Sequence, residues 1–345
     1  MNEASLASRR IEVADAEEAI ELYYQKGWTD GLPVVPPTER RVREFLESCG
    51  RGPEEVVGAV PQRNRTLTAE KVAINAIMAG CLPSYAPVVM AAVEALTSDR
   101  FNLHGSTTST GGAAPLIVVS GPVAEELGIN SGVNLFGPGF RANATIGRSL
   151  RLVLMNLCDS RPGVLDRATL GHSGKFSYCI AENEAASPWE PLRVDLGYAP
   201  GDNTLTLVAS ESPHQVADHA SHEPRGLLDA LADMMSAVGN LAKGDWAVVI
   251  CPEHAAVFRR HGWSRTDVKS YLVEHCGRSI ADLKRFGRRK GQVEPGDDQQ
   301  MVPLFSGPED ILLLVGGGLA GGFSAVIPPW MGSPSSRAVT VPIRR

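Results

Sequence analysis

The sequence predicts an α/β fold in which helices cover mixed sheets. Apolar, β-branched runs at 114–119 and 246–251 each lead through a proline-containing turn into a helical segment. Continuous apolar strands of this kind are typical of sheets that are buried on both faces. An amphipathic helical segment precedes each run, at 87–98 and 227–238. The sequence therefore favours layers of helices packed against sheets.

The same helix–strand–helix order occurs twice, and a weaker copy of the strand lies at 310–318. This recurrence predicts two related α/β lobes around a shared cleft, with an N-terminal lobe at 1–200 and a C-terminal lobe at 201–345. Such units also recur in α/β proteins that are not duplicated. The sequence alone leaves a true internal repeat open.

Periodicity and capping residues predict the individual elements. An apolar face that recurs every three to four residues indicates a helix, and alternation of apolar and polar residues indicates a half-buried strand. Prolines and glycines exclude a regular helix at 27–38. The predicted helices are 11–26, 39–48, 68–80, 87–98, 144–157 and 227–238, and the predicted strands are 115–119, 204–210, 246–251 and 311–315.

The composition argues against a dedicated nucleic-acid binder. Lys and Arg number 33 against 39 Asp and Glu, which gives a net charge of −6, whereas phosphate binding needs a basic face. The length of 345 residues suits two domains or one large one. An apolar fraction of 43% is sufficient for a buried core.

The sequence shows no signal for export or for membrane insertion. No apolar segment follows the first residues, and no apolar run approaches the roughly 18–20 residues that cross a bilayer. The six cysteines form no Cys-x-x-Cys pair, which makes a disulfide framework unexpected. We expect a cytoplasmic protein with free thiols and no membrane association.

A first candidate for an anion site is the loop at 102–112. It combines His104, Thr107 and Thr108 with small residues and glycines, whose backbone N–H groups can converge on an anion. The hydroxyls would bind substrate, and His104 would be an acid–base group. The loop is not a P-loop, because no Gly-Lys-Ser/Thr follows it, and a plain turn is the alternative.

A second candidate is the glycine-rich segment 132–148, which leads into the helix predicted at 144–157. Asn143 is the predicted N-cap, and Arg141 and Arg148 lie nearby. A helix N-terminus flanked by arginines suits a carboxylate or a phosphate. The alternative is a structural cap with surface arginines.

A third candidate is centred on Cys179. A cysteine needs a nearby cation or helix N-terminus to become a thiolate nucleophile. Lys175 would supply that charge, and Glu182 would act as a general base or hold the lysine. The alternative is that Cys179 is a small buried side chain beside a strand.

A fourth candidate is a histidine cluster, since three of the eight histidines fall within nine residues. Imidazoles with nearby carboxylates suit Zn, Mn, Fe or Ni. The spacing matches no standard metal motif. A divalent metal site, a general base such as His214, and an ordinary polar loop therefore all remain open. The three candidate ligands are His214, His219 and His222.

A fifth candidate is the glycine-rich run at 316–322. It formally matches a dinucleotide fingerprint, but too little chain remains for the complete unit, and prolines interrupt the helix that would follow. We expect instead a loop that contacts substrate, with Ser324 as a hydrogen-bond donor. His254 is expected to be a core or surface residue without a catalytic role.

Four segments resemble those of a bacterial family associated with genes for small thiol or selenol proteins that carry a UGSC or CGSC motif. The resemblance spans nearly the whole chain and implies a bacterial cytoplasmic enzyme in a catabolic or thiol-linked pathway. It transfers no catalytic residue and no substrate. The segments are GWTDGLPVVPPT at 27–38, AGCLP at 79–83, FRANATIGR at 140–148 and CIAENE at 179–184.

These observations lead to an enzyme hypothesis. The chain would be a hydrolase or lyase for a small, polar, anionic substrate, with either the Cys179 group or a histidine-bound metal at its centre. The alternative is a non-catalytic, metal-binding or thiol-linked partner of a small redox protein with a thiol or selenol. A third hypothesis is a homo-oligomer that uses 27–38 as its interface.

Overall fold

The computed structural model describes residues 5–238, 243–330 and 336–344. The helices within these ranges are α1 (Ala16–Gln25), α2 (Glu39–Glu47), α3 (Ala69–Ala79), α4 (Ala86–Leu96), α5 (Leu103–Thr108), α6 (Val123–Glu126), α7 (Arg141–Asn156), α8 (Leu192–Asp195), α9 (Pro224–Ala237), α10 (Pro252–Arg260), α11 (Arg265–His275) and α12 (Ile280–Arg285). The strands are β1 (Val56–Val60), β2 (Arg65–Thr68), β3 (Ala114–Ser120), β4 (Cys179–Ala181), β5 (Thr204–Ser210), β6 (His214–Ala217), β7 (Trp246–Ile250), β8 (Gly277–Ser279), β9 (Met301–Pro303), β10 (Ile311–Val315), β11 (Phe323–Ile327) and β12 (Val339–Pro342).

The strands of the described ranges form two four-stranded mixed sheets and two two-stranded antiparallel sheets, β1 with β2 and β8 with β9. The first sheet has the order β12-β5-β3-β4, and the second has the order β10-β7-β11-β6. In each sheet one neighbouring pair is parallel, β3 with β4 and β10 with β7, and the other pairs are antiparallel. The α/β prediction with mixed sheets is therefore confirmed.

The two sheets pack face to face, because alternate residues of both contribute to one buried cluster. Leu116 and Val118 of β3 share that cluster with Val249 of β7 and Leu314 of β10. The opposite face of the first sheet packs against α2, α3, α4 and α7. The opposite face of the second sheet packs against α9, α10 and α11. The result is a four-layer helix–sheet–sheet–helix arrangement, with each sheet buried on both faces as the apolar runs predict.

The predicted boundary at residue 200 does not separate the two sheets. Strands β5 and β12 both follow residue 200, yet both belong to the sheet of β3 and β4. The chain therefore leaves the first sheet after β5 and returns to it with β12. A packed core occupies the space between the sheet faces, so the expected cleft does not lie between them, and duplication of the lobes stays a prediction.

The long helix α7 packs so closely on the chain before β4 that only glycine fits at its centre. A Cβ added at Gly147 would lie 2.6 Å from the backbone nitrogen of Tyr178 and would also overlap the Ser177 hydroxyl. Helix α7 begins at Arg141, earlier than the predicted start at 144, and Phe140 is its N-cap. The predicted N-cap at Asn143 is wrong, because this residue lies within the first turn.

Replacing Gly147 with alanine is expected to lower the free energy of unfolding by about 1–3 kcal/mol, since the added methyl forces α7 away from β4. This outcome opposes the intrinsic helix preference, which favours alanine by about 1 kcal/mol. Urea denaturation measures the change. The matched control is Ala144→Gly at an exposed position of the same helix, which should cost about 1 kcal/mol. Increased stability of Gly147→Ala would contradict the close contact.

Candidate functional site

The most chemically distinctive group of side chains surrounds Cys251, at the carboxyl end of β7. Cys251 has an extended backbone conformation and is the N-cap of α10. Pro252 occupies the first helical position, where its missing N–H costs nothing. His254 follows one turn later on the side of α10 that faces the sheet, and both side chains are buried, at 4% and 5% exposure.

The hydrogen bonds of His254 fix the tautomer of its ring. Nε2 lies 2.8 Å from the backbone oxygen of Asp218, and Nδ1 lies 2.7 Å from Oγ of Ser324. A carbonyl oxygen only accepts hydrogen bonds, so Nε2 must carry the proton. In the neutral ring Nδ1 is therefore the acceptor, and this basic nitrogen is on the side of Ser324 and Cys251.

Ser324 connects the imidazole to the backbone of Cys251. Its Oγ accepts a hydrogen bond from the Cys251 amide at 3.1 Å and lies within hydrogen-bond distance of His254 Nδ1. Ser324 is 1% exposed on β11. The sequence predicts that Ser324 donates a hydrogen bond to substrate, whereas in the structure its hydroxyl bonds His254 and the Cys251 amide.

The surroundings of Cys251 favour its thiolate. Burial alone would raise the pKa of the thiol, but hydrogen bonding by His254, the charge of its ring and hydrogen bonding by Ser324 together hold the pKa below its ordinary value. Burial likewise opposes the charge on His254, yet its interactions with Cys251 and Asp218 raise the pKa of the ring. Each group stabilises the charged form of the other, as in a thiolate–imidazolium pair.

In the other five cysteines the environment raises the pKa of the thiol. Burial raises the pKa of Cys81, Cys158 and Cys276 to about 12. Burial also raises the pKa of Cys49 and Cys179. Cys251 is therefore the one cysteine of this chain whose environment lowers the pKa of its thiol.

Two of the predicted candidate segments meet the Cys251–His254 pair. The Asp218 amide donates to the Gly322 oxygen at 2.9 Å, and the Gly321 amide donates to the Glu253 carboxylate at 2.8 Å. The rings of His219 and Phe323 form an edge-to-face contact at 4.8 Å. The glycine run at 316–322 and the histidine segment are thus adjacent to each other and to the start of α10, although the sequence offers them as separate sites.

The histidine segment does not form the expected metal centre. His214 lies on β6, whereas His222 lies beyond the turn at Asp218 and accepts at its backbone oxygen from His261 Nε2 at 3.1 Å. Within the described ranges, no group of three or more His, Cys, Asp or Glu side chains is placed to hold a metal ion. The ligand set His214, His219 and His222 therefore does not fit Zn, Mn, Fe or Ni.

The predicted group of Cys179, Lys175 and Glu182 is not assembled. Cys179 and Glu182 are three residues apart on extended chain, so their side chains point to opposite faces of the sheet, and Cys179 packs in the core beneath α7. The ammonium of Lys175 instead binds both oxygens of Asp166, at 2.7 and 2.8 Å. The thiol therefore lacks both of its predicted partners.

Glu182 belongs to a buried polar cluster at the end of β3. Its carboxylate accepts from the Leu192 amide at 2.8 and 3.0 Å and from the Ser120 hydroxyl at 2.9 Å. Burial raises the pKa of Glu182 to about 6 against these hydrogen bonds and the charge of Arg265. The role that these contacts define is to join the loop before α8 to the first sheet.

The residues of the first predicted anion loop make structural contacts. The segment containing them is the short helix α5 rather than an open loop. The hydroxyls of Thr107 and Thr108 donate to carbonyl oxygens one turn back at 2.7 and 2.8 Å. His104 Nδ1 lies 3.4 Å from Nε of Arg63, which also donates to Thr107. The backbone N–H groups do not form the expected cradle.

The three residues of the second predicted anion site, Arg141, Asn143 and Arg148, make separate contacts and do not converge on one anion. Asn143 is buried and bonds the backbone of Asn130 and the oxygen of Cys179 at 2.7–3.0 Å. Arg148 forms two 2.8 Å bonds to the Asp30 carboxylate. Arg141 is the one member that still faces solvent, where it borders a cavity.

Sequence reasoning did not select Cys251, and it placed His254 in the core or at the surface, which agrees with its 5% exposure but does not anticipate its bonds to Asp218 and Ser324. The usable signal is the run Cys-Pro-Glu-His directly after an apolar strand. A cysteine at the N-cap of a helix and a histidine one turn later share one side of that helix. Hydrogen bonding from Ser324, which is 70 residues away in sequence, is not visible from spacing.

No helix in the described ranges has the length and apolar character needed to cross a membrane. No protein-family model matches the chain, and neither the curated proteins nor the solved structures include a significant match to it.

Proposed function

We propose that the chain is a thiol-dependent enzyme, with Cys251 as nucleophile and His254 as its general base, acting as a hydrolase on a small, polar, anionic substrate. The observation that carries this proposal is the orientation of His254. Its Nε2–H is held by the Asp218 carbonyl, so the basic Nδ1 faces the thiol side. A nucleophile, a base and a group that orients the base are thus contiguous.

In the proposed reaction, Nδ1 of His254 accepts the thiol proton, and the Cys251 thiolate attacks an electrophilic carbon of the substrate. A carbon–sulfur bond forms, the leaving group departs, and the imidazolium returns the proton to it. Water then attacks the acyl-enzyme with His254 again as base, which releases the product and restores the thiol. The imidazolium and the positive N-terminal end of α10 favour a substrate with negative charge.

A lyase would use the same pair differently. There His254 or Cys251 would exchange a proton with the substrate, and no covalent bond to sulfur would form. Accumulation of an acyl-enzyme distinguishes the two reaction classes, so the hydrolase proposal is tested with p-nitrophenyl acetate, which carries a simple acyl group. The proposal predicts a burst of one equivalent of nitrophenol per chain, with an acetyl group on Cys251 detected by peptide mass spectrometry.

A thiol-linked partner of a small redox protein is the second candidate function. The observation that favours it is an exposed apolar rim beside the site, in which Val133 and Leu319 are 68% and 79% exposed. A Cβ at Gly318 would lie 3.5 Å from Val133, so the two loops adjoin. Such a rim suits a protein surface. In this case the Cys251 thiolate would cleave the disulfide of oxidised glutathione, forming a mixed disulfide and releasing one equivalent of reduced glutathione, with no acyl burst.

Alkylation identifies the reactive thiol without knowledge of the substrate. With iodoacetamide at neutral pH, we expect Cys251 to be labelled at least about tenfold faster than Cys81, Cys179 or Cys276, because the thiolate is the nucleophile. Peptide mass spectrometry measures the rates. The control is Cys179→Ser, which should leave the labelling of Cys251 unchanged. Labelling of Cys179 ahead of Cys251 would instead favour the site that the sequence predicts.

A further inference from the structure

A cavity of about 210 Å³ lies among the helices that cover the first sheet. It is bordered by α2, by the turn after α3 and by the start of α7. Its walls include Val35, the segment 80–83 and Arg141. These positions fall in three of the four motifs quoted above, at 27–38, 79–83 and 140–148. Segments far apart in the sequence thus meet around one space that the proposed thiol chemistry does not use.

Two guanidinium groups border the cavity. Arg141 is fixed in place, because its Nε and Nη2 donate to the Gly80 oxygen at 3.2 and 3.0 Å. The guanidinium of Arg41 forms no hydrogen bond or ion pair with any residue that the structure describes. The Glu44 carboxylate also borders the cavity but is paired with Arg40. The cavity therefore has excess positive charge.

The turn after α3 is shaped to hold Arg141. Gly80 has a positive φ of 97° as the C-cap of α3, a conformation that other residues adopt at a cost. A Cβ at Gly80 would also lie 3.3 Å from the Thr145 methyl group. The Gly80 oxygen therefore meets Arg141 in a fixed orientation, which reduces the entropy that the guanidinium loses when it binds a ligand.

The remaining walls are apolar and uncharged. Val35, Ile77, Leu82 and Pro83 contribute apolar surface. Burial raises the pKa of Cys81 to about 12, so its thiol is neutral at physiological pH. The volume corresponds to about seven water molecules at roughly 30 Å³ each. It therefore suits a molecule of a few heavy atoms, with one charged end and an apolar body.

We propose that this cavity binds a short aliphatic carboxylate, with the carboxylate between Arg41 and Arg141 and the apolar body against Val35 and Leu82. Guanidinium groups bind carboxylates through paired, charge-assisted hydrogen bonds, which favours this ligand over a neutral one of the same shape. The apolar wall favours it over an inorganic anion. The inference does not depend on the proposed thiol chemistry.

Calorimetric titration of the full chain with isovalerate tests the site. We expect saturable binding of isovalerate, no binding of isovaleramide at the same concentrations, and weaker binding of inorganic phosphate. Arg41→Gln and Arg141→Gln should each weaken isovalerate binding by about tenfold or more, because each removes charge-assisted hydrogen bonds. The control Arg65→Gln removes an exposed arginine that pairs with Asp159 elsewhere and should leave binding unchanged.

Further variants keep the outcome decisive. Leu82→Trp places bulk in the cavity and should abolish binding while circular dichroism shows an intact fold. The same titration with Cys251→Ser should give unchanged affinity. The carboxylate site can therefore be tested even if Cys251 proves to have no catalytic role. Equal binding of isovalerate and isovaleramide would contradict recognition of the carboxylate by the two arginines. Phosphate binding as tight as that of isovalerate would contradict the contribution of the apolar wall. Unchanged affinity in both arginine variants would overturn the site.

Discussion

Replacement of His254 with glutamine is expected to slow the alkylation of Cys251 at neutral pH by about tenfold or more. Burial of Cys251 raises the pKa of its thiol, but the hydrogen bond from His254 and the positive charge of the imidazolium lower it by more. The pKa is therefore below its ordinary value. Without the imidazole, burial prevails and the thiol pKa rises. Each unit of that rise removes about nine-tenths of the thiolate when the pH lies below the pKa. The acyl burst should be lost with it.

The pH profile separates a loss of activation from a loss of structure. In the unmodified chain, the alkylation rate should reach half of its plateau at a pH below the ordinary thiol pKa of 9.0. In His254→Gln the midpoint should move upward, and the two rates should converge at high pH, where both thiols are ionised. Glutamine retains an N–H donor for the Asp218 carbonyl, so the fold around α10 should persist. Superimposable profiles would contradict the pairing of Cys251 with His254.

His261 provides a matched control for this experiment. It is the C-cap of α10 and bonds the His222 oxygen at 3.1 Å, away from the thiol. His261→Gln should leave both the rate and the midpoint of Cys251 alkylation unchanged. Ser324→Ala should give an intermediate effect, because it removes both hydrogen bonds of the Ser324 hydroxyl to the pair but leaves the imidazole in place.

The elements that the sequence predicts well are those defined by local pattern. Helices predicted at 39–48 and 68–80 are observed at 39–47 and 69–79, because a threonine precedes each of them and Gly80 ends the second. The strand at 246–251 is likewise recognised by its apolar run. Sheet order is not local, and the return of β12 to the first sheet is not encoded in any single segment.

The predicted grouping of Cys179, Lys175 and Glu182 is not observed for a related reason. Spacing along the chain suggested that Cys179, Lys175 and Glu182 act together, but side chains alternate between the faces of extended chain, and this separates Cys179 from Glu182. Cys251 and His254 form their hydrogen bonds with Asp218 and Ser324, which sheet pairing brings next to them. Reactivity that arises from tertiary contacts of this kind requires the structure.

The motif at 27–38 has an internal structural role that the sequence did not indicate. Its Val34 is 3% exposed and packs with Met78 and Leu152 of α3 and α7, and Asn156 donates to the Trp28 oxygen at 2.9 Å. The same segment contributes Val35 to the cavity. These contacts with α3 and α7 give the motif a role within one chain, which needs no interface between subunits. The homo-oligomer stays a prediction.

Loss of the ion pair between Asp30 and Arg148 is expected to have the largest effect on stability. Two 2.8 Å bonds join the groups, and their side chains are 3% and 14% exposed. Arg148 also donates to the Leu32 and Pro33 oxygens at 3.2 and 2.9 Å, so it fixes the turn of the 27–38 motif. Asp30→Ala or Arg148→Ala should each lower the free energy of unfolding by about 3–5 kcal/mol, because each leaves a largely buried charge without its partner.

A double-mutant cycle and a pH series test this expectation together. The double variant should be less destabilised than the sum of the single ones, since neither charge is then left alone.

Burial would raise the pKa of Asp30, but Arg148 and backbone N–H groups hold it below its ordinary value of 3.8. The stabilisation is therefore present above pH 3.8 and is lost as the pH falls through the lower folded-state pKa. Arg65→Ala breaks an exposed pair with 51% and 39% exposure and should cost only about 0–1 kcal/mol. A similarly small loss for Arg148→Ala would show that the 27–38 motif is held by apolar packing instead.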